Sequence, residues 1–159
     1  MDKHELEQRT KKFAVDVIRF VGTFDRSAAA RVIGYQLLRS GTSIGANYRE
    51  ANRAVSRRDF SHRVAITEKE ASETHYWLEI CLETSYGDAV VCADLLGEVD
   101  QLLAIFTAIG RSIRATDRHD SGTEGPHVAE PSPERYSQLD ETRGGISGLV
   151  PDGCWPDDE

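Results

Sequence analysis

Seven cationic side chains crowd into 31 residues of this chain: Arg39, Arg49, Arg53, Arg57, Arg58, Arg63 and Lys69. Arg49, Arg53 and Arg57 stand four apart, a spacing that puts them on one face of a helix running through all three. A row of guanidinium groups neutralises phosphates and is the sequence-independent way to hold RNA or DNA. The same residues have an equally ordinary use: pairing with Glu50, Asp59 and the acidic residues of later segments. Composition leaves both open. No aromatic platform for stacking bases stands among the arginines, so sequence-specific reading is not expected.

A second row, Arg39, Ser43, Asn47 and Glu50, advances by four, four and three, and Glu70, Glu73 and His75 lie in a later stretch. If a neighbouring helix covers these groups they need partners, because an unpaired buried carboxylate is costly. The expectation is a hydrogen-bonded and ionic network, between helices or across subunits, that includes Ser43, Asn47, Glu50, Glu70 and Glu73. An active site is the sharper reading of the same row, but Ser40, Thr42 and Ser43 have no placed base beside them. Di-iron bundles need two Glu-x-x-His pairs, whereas Asp59-Phe60-Ser61-His62 and Ser72-Glu73-Thr74-His75 both lack Glu three residues before His. The glycines of SGTSIGA come without a P-loop pattern or a preceding strand. Cys81, Cys92 and Cys154 show no C-x-x-C spacing and are expected to stay reduced, the first two as small apolar fillers. The expectation is therefore no enzyme, no metal and no cofactor.

These rows must be carried by helices. All five prolines (Pro126, Pro131, Pro133, Pro151, Pro156) fall after residue 117, and a proline-free stretch of 116 residues suits a helical bundle. Charge divides the chain at the same place. Met1 to Thr116 holds 16 basic and 16 acidic residues, while Asp117 to Glu159 holds 3 and 11, so the net charge of -8 belongs to the last 43. Within the first part, Met1 to Lys69 carries +6 and Glu70 to Thr116 carries -6. There is no secretory signal pattern and no apolar window long enough to span a bilayer, which leads to the expectation of a cytoplasmic protein.

Four helical segments are readable. In the first, about 5–23, Phe13, Val17, Phe20, Val21 and Phe24 follow the helical period; Asp25 or Ser27 can then cap the next. The second, about 28–55, alternates Ala30, Leu37, Ile44 and Ala51 with Gly34, Gly41, Tyr48 and Val55. Its three glycines, Gly34, Gly41 and Gly45, imply either close approach to a neighbouring helix or a kink near Ser40-Gly41-Thr42-Ser43. The third starts near Ser56 to Asp59 and runs to the Tyr86-Gly87-Asp88 turn, on a register of Phe60, Thr67, Thr74 and Cys81 with Val64, Ala71, Leu78 and Ser85. Ile66, Tyr76, Trp77 and Ile80 lie off that register, so this helix is expected to be covered on more than one side. The fourth, about 89–114, carries Cys92, Val99, Phe106 and Ile113 with Leu95, Leu96, Leu102, Leu103 and Ile109. With nine apolar residues among 43, Asp117 to Glu159 is expected to be a disordered acidic tail, in which Ile146 to Trp155 is either part of a solvated terminus without function, the more ordinary case, or a docking patch for a partner. The expected architecture is an all-α, antiparallel up-and-down four-helix bundle over 1–116 followed by the tail over 117–159.

The run LLRSGTSIGANYREA, Leu37 to Ala51, followed by Phe60 and then KEASETHYWLEI, Lys69 to Ile80, resembles a bacterial four-helix-bundle family. That family includes the proteins encoded in intervening sequences of large-subunit rRNA genes, and the accessory variability proteins of diversity-generating retroelements look like relatives. The resemblance covers about Phe13 to Ile113. It implies a ring-like homopentamer without known catalytic activity, and, through the retroelement members, nucleic acid and a reverse transcriptase as partners.

Taken together, the expected function is a non-catalytic, oligomeric bundle that binds RNA or DNA through Arg39, Arg49, Arg53, Arg57, Arg58, Arg63 and Lys69, as an accessory to a nucleic-acid-processing partner. The alternative is a protein-interaction scaffold that never touches nucleic acid and uses the same arginines for subunit pairing.

Overall fold

The computed structural model of the chain describes residues 1–120, with side chains through Ala115. Four helices follow one another: α1 (Lys3–Val21), α2 (Ala28–Ala51), α3 (Arg57–Glu83) and α4 (Ala89–Asp120). Each packs against its neighbour in sequence, and α1 returns to α4 to close an antiparallel up-and-down bundle. The fourth helix continues through Asp120, past the Arg114 end read from its apolar stripe. The rest of the expected acidic tail, including the Ile146 to Trp155 patch and Cys154, lies outside the described residues.

Local chemistry sets the helix starts. Asp2 opens α1 with a capping box: its carboxylate accepts from the Glu5 amide at 2.8 Å, and Glu5 accepts from the Asp2 amide at 2.7 Å. Amide bonds to its carboxylate, that from Glu5 first and then that from His4, hold the Asp2 carboxyl below its ordinary pKa. Ser27, rather than Asp25, caps α2 through the Ala30 amide, and Ser56 caps α3 through the Asp59 amide, each at 3.1 Å. The last turn, Ser85 to Asp88, places both Ser85 and Gly87 at positive φ. At Gly87 a Cβ would run into the Phe20 ring, so glycine is needed there for space as well as conformation.

The core is the stripe that the heptads define. Phe13, Val17, Leu37, Ile44, Val64, Leu78, Val99, Leu102 and Phe106 are all excluded from solvent. Four buried hydroxyl residues interrupt it without loss, because each returns its proton to the carbonyl one turn back: Thr10 to Leu6, Ser40 to Gln36, Thr67 to Arg63 and Thr74 to Glu70. Cys81 and Cys92 are buried, unbridged thiols. Burial, with the nearby Cys92 adding to it, pushes the Cys81 pKa up to about 12.

The glycines of α2 serve close approach. The helix is unbroken from Ala28 to Ala51, and a Cβ at Gly41 would stand 3.0 and 3.2 Å from the two γ-methyls of Val17 on α1. Gly34 faces Val21 in the same way. One expectation fails at the other end of α2. The helix stops at Ala51, so Val55, read as the last core position of the second register, is 95% exposed.

Candidate nucleic-acid interface

That early stop also changes the arginine row. Arg49 lies in the last turn of α2, Arg53 in the connection and Arg57 at the start of α3, so the three do not share one face of α2 as expected. The reason is Ser56: once it caps α3, the chain must leave α2 several residues earlier in order to reverse. The turn gathers the cations at one end of the bundle instead of drawing them out in a line. Antiparallel packing brings the N-terminal half of α1, the C-terminal half of α2, the N-terminal half of α3 and the C-terminal half of α4 together. Within residues 1–12, 40–70 and 105–116 there are twelve basic and seven acidic residues, against four and nine in 13–39 and 71–104. The bundle is therefore charged along its length, positive at the α2–α3 turn.

The seven candidate cations divide into two groups. Arg39 is engaged: its Nη2 donates to both oxygens of Glu73, at 3.0 and 3.2 Å, across the α2–α3 interface. The Glu73 partnership raises the Arg39 pKa. Arg63 pairs with Glu50 of α2 and, at 3.7 Å, with Asp59 of its own helix. Arg57 donates to the Ile113 carbonyl of α4 at 3.4 Å. By contrast, Arg49, Arg53, Arg58 and Lys69 are exposed, and none of the four has a carboxylate partner among the described residues. Arg49, Arg53 and Arg58 lie at or beside the α2–α3 turn, and Lys69 lies near the middle of α3.

The expected polar network exists only at its two ends. Arg39–Glu73 and Glu50–Arg63 do bridge α2 and α3, but the residues between them turn inward on their own helix. Ser43 Oγ donates to the Arg39 carbonyl at 2.7 Å and Asn47 Nδ2 to the Ser43 carbonyl at 2.9 Å, so neither crosses to α3. Their short side chains reach a carbonyl one turn back more easily than a neighbouring helix. Glu70, which lies beside that gap, keeps one buried carboxylate oxygen without a hydrogen-bond partner. The buried indole Nε1 of Trp77 is in the same position. His75 contacts Glu79 at 3.4 Å and Asp100 at 3.1 Å, as an inter-helix residue between α3 and α4.

The cross-link that charge counting missed is Arg9. Its guanidinium forms a two-pronged bond to Glu98, at 2.6 and 2.8 Å, and also reaches Gln101 at 2.6 Å, which ties α1 to α4. The Glu98 bond raises the Arg9 pKa. Beside this bond, Phe13, Phe20, Val91 and Leu95 line a groove of about 670 Å³ between the two helices. No group of three or more His, Cys, Asp or Glu residues that could hold a metal ion occurs among the described residues. None of their helices is long and apolar enough to cross a membrane.

The described residues define an all-α four-helix bundle with antiparallel neighbours. Residues 2–108 match the family model of the 23S rRNA-intervening sequence proteins, and the chain belongs to that family. A crystal structure of a protein of unknown function from the S23 ribosomal protein family of Bacteroides thetaiotaomicron is similar to it. The two share 33% identity and a TM-score of 0.64, with 70% of this chain and 99% of that one covered. None of the curated proteins compared matches the chain.

Proposed function

We propose that this protein is a non-catalytic, oligomeric nucleic-acid binder that acts as an accessory to a nucleic-acid-processing partner, and that its cationic turn is the contact surface. The observation that carries the reading is the exposure of Arg49, Arg53, Arg58 and Lys69 with no carboxylate partner among the described residues. Guanidinium and ammonium groups left without internal counter-charges hold phosphate at the least desolvation cost to the protein. Arg39 and Arg63 contribute to the local potential while serving the α2–α3 interface. Arg57 belongs to the same patch by position. Oligomerisation repeats the patch about a symmetry axis and multiplies weak contacts. The resemblance to retroelement accessory proteins supports a reverse transcriptase as the kind of partner, and the homopentamer as the kind of assembly.

A scaffold that never touches nucleic acid is the second reading, and one observation favours it. Val15, Ile18, Val32, Tyr35, Leu82, Val90 and Val91 are exposed apolar residues, all in the half of the bundle away from the cationic turn. Retention of the full chain on heparin and on generic RNA, followed as salt rises, separates the two. Nucleic-acid contact gives affinity that falls log-linearly with salt. A scaffold gives no retention even at low salt, and that result overturns the proposal. Oligomer mass measured with and without RNA then tests whether assembly and binding are coupled.

A further inference from the structure

Six residues of α3, Arg58, His62, Ala65, Lys69, Ser72 and Tyr76, advance by four, three, four, three and four, the spacing of one helix face, and all six are exposed. From the first to the last the line is about 27 Å long at the α-helical rise. It carries no carboxylate. Two shallow depressions meet along it and share Ala65. One, of about 520 Å³, is lined by Arg57, Arg58, Ser61 and His62. The other, of about 680 Å³, includes Lys69, Ser72 and Tyr76 with Leu103 and Thr107 of α4. Glu68 and Glu73 border the second, but Glu73 is paired with Arg39, and Glu68 accepts from Thr107 Oγ1 at 2.7 Å.

Tyr76 ends the line. The residue is 53% exposed, and its ring is braced edge-on by Trp77, with centroids 5.1 Å apart and planes at 68°. The next positions on the same face are Glu79 and Glu83. The face thus starts cationic, passes small side chains, ends on an aromatic platform and then turns acidic.

We infer that this face of α3 is a binding site for single-stranded nucleic acid, in which Arg58 and Lys69 hold phosphates and Tyr76 stacks an unpaired base. The inference rests on the nucleic-acid reading above and specifies the strand it takes. A stacking platform is useful only to a base whose face is free, which a duplex interior does not offer. The sequence does not point to this aromatic for a simple reason. Tyr76 is seven residues beyond Lys69 and outside the arginine-rich stretch, and only the helical register brings it onto the same face.

The test uses the full chain with fluorescently labelled oligouridine, oligothymidine and a blunt duplex of equal length, about 12 nucleotides, and anisotropy at several salt concentrations. Both single strands are expected to bind more tightly than the duplex. Tyr76→Ala is expected to weaken single-strand binding about tenfold, the loss of one stacked base, without altering the salt slope. Tyr76→Phe keeps the platform and is expected to bind as the parent does. Arg58→Gln and Lys69→Gln should each lower the single-strand salt slope by about 0.7. Affinity confined to one sugar assigns the strand, and the Tyr76 dependence must then hold for that strand. Single-strand binding by Tyr76→Ala equal to the parent, or duplex bound as tightly as single strand, overturns this inference and leaves the phosphate surface standing. Absence of binding to any of the three probes at low salt overturns both. Tyr76 lies outside the core, so an unchanged urea midpoint in Tyr76→Ala excludes misfolding as the cause.

Discussion

Replacing Gly41 by alanine is the sharpest probe of how α1 and α2 meet. On helix propensity alone, Gly→Ala within a helix stabilises by about 1 kcal/mol. At Gly41 the new methyl would stand 3.0 and 3.2 Å from the γ-methyls of Val17 and 3.5 Å from its Cβ. Val17 is fully buried, and as a β-branched residue it has no alternative rotamer that withdraws both methyls. Overpacking of this kind costs about 1–3 kcal/mol, so the expected net effect runs from near zero to a loss of about 2 kcal/mol. Gly97, exposed in α4, meets nothing within 4 Å and supplies the control. Gly97→Ala should stabilise by about 1 kcal/mol. Urea unfolding of both variants measures the difference. Val17→Ala removes a buried side chain and destabilises by itself, but the Gly41→Ala/Val17→Ala double variant should lose less than the sum of the two single losses, as coupling between touching residues requires. If Gly41→Ala stabilises as much as Gly97→Ala, the close approach of the helices is wrong.

Gly87→Ala combines a positive φ of 76° with a clash against Phe20, and a loss of about 2–4 kcal/mol in denaturant unfolding is expected. Cys81 titrates higher in the folded chain than unfolded, so its contribution to stability is complete below the unfolded pKa near 9.0 and is lost as pH rises from there to about 12. Cys81→Ala should therefore show a flatter decline of the urea midpoint than the parent between those limits. Arg9→Gln removes a partly exposed two-pronged bond and should lower stability by no more than about 1 kcal/mol, as read from the urea midpoint. Glu50→Gln should change stability by less than about 1 kcal/mol, because the Glu50–Arg63 pair is solvated.

The bundle was legible because its apolar heptads are long and meet few competing signals. Leu37, Ile44, Leu78, Val99 and Phe106 all fill the core positions their spacing assigns them. Helix ends were less legible. Ala54 and Val55 continue the apolar register of α2, and only the Ser56 cap, itself readable, shows that the chain must already have turned. The Arg39–Glu73 and Glu50–Arg63 bridges follow the row that spacing suggested, whereas Ser43 and Asn47 prefer their own backbone, a competition that residue type alone does not decide. Arg9–Glu98 was out of reach because its partners are 89 positions apart and bear no shared motif. The Tyr76 line was hidden by its spacing. Its members are scattered through ordinary helix surface, and exposure rather than composition sets them apart.

Salt dependence of duplex binding by the full chain and by the Arg49→Gln/Arg53→Gln/Arg58→Gln variant tests the central claim most directly. If the exposed cations hold phosphate, the slope of log affinity against log salt should fall by about 0.9 for each arginine removed that makes a contact. An unchanged slope in the triple variant, or no binding of either duplex or single strand by the parent at low salt, would contradict it.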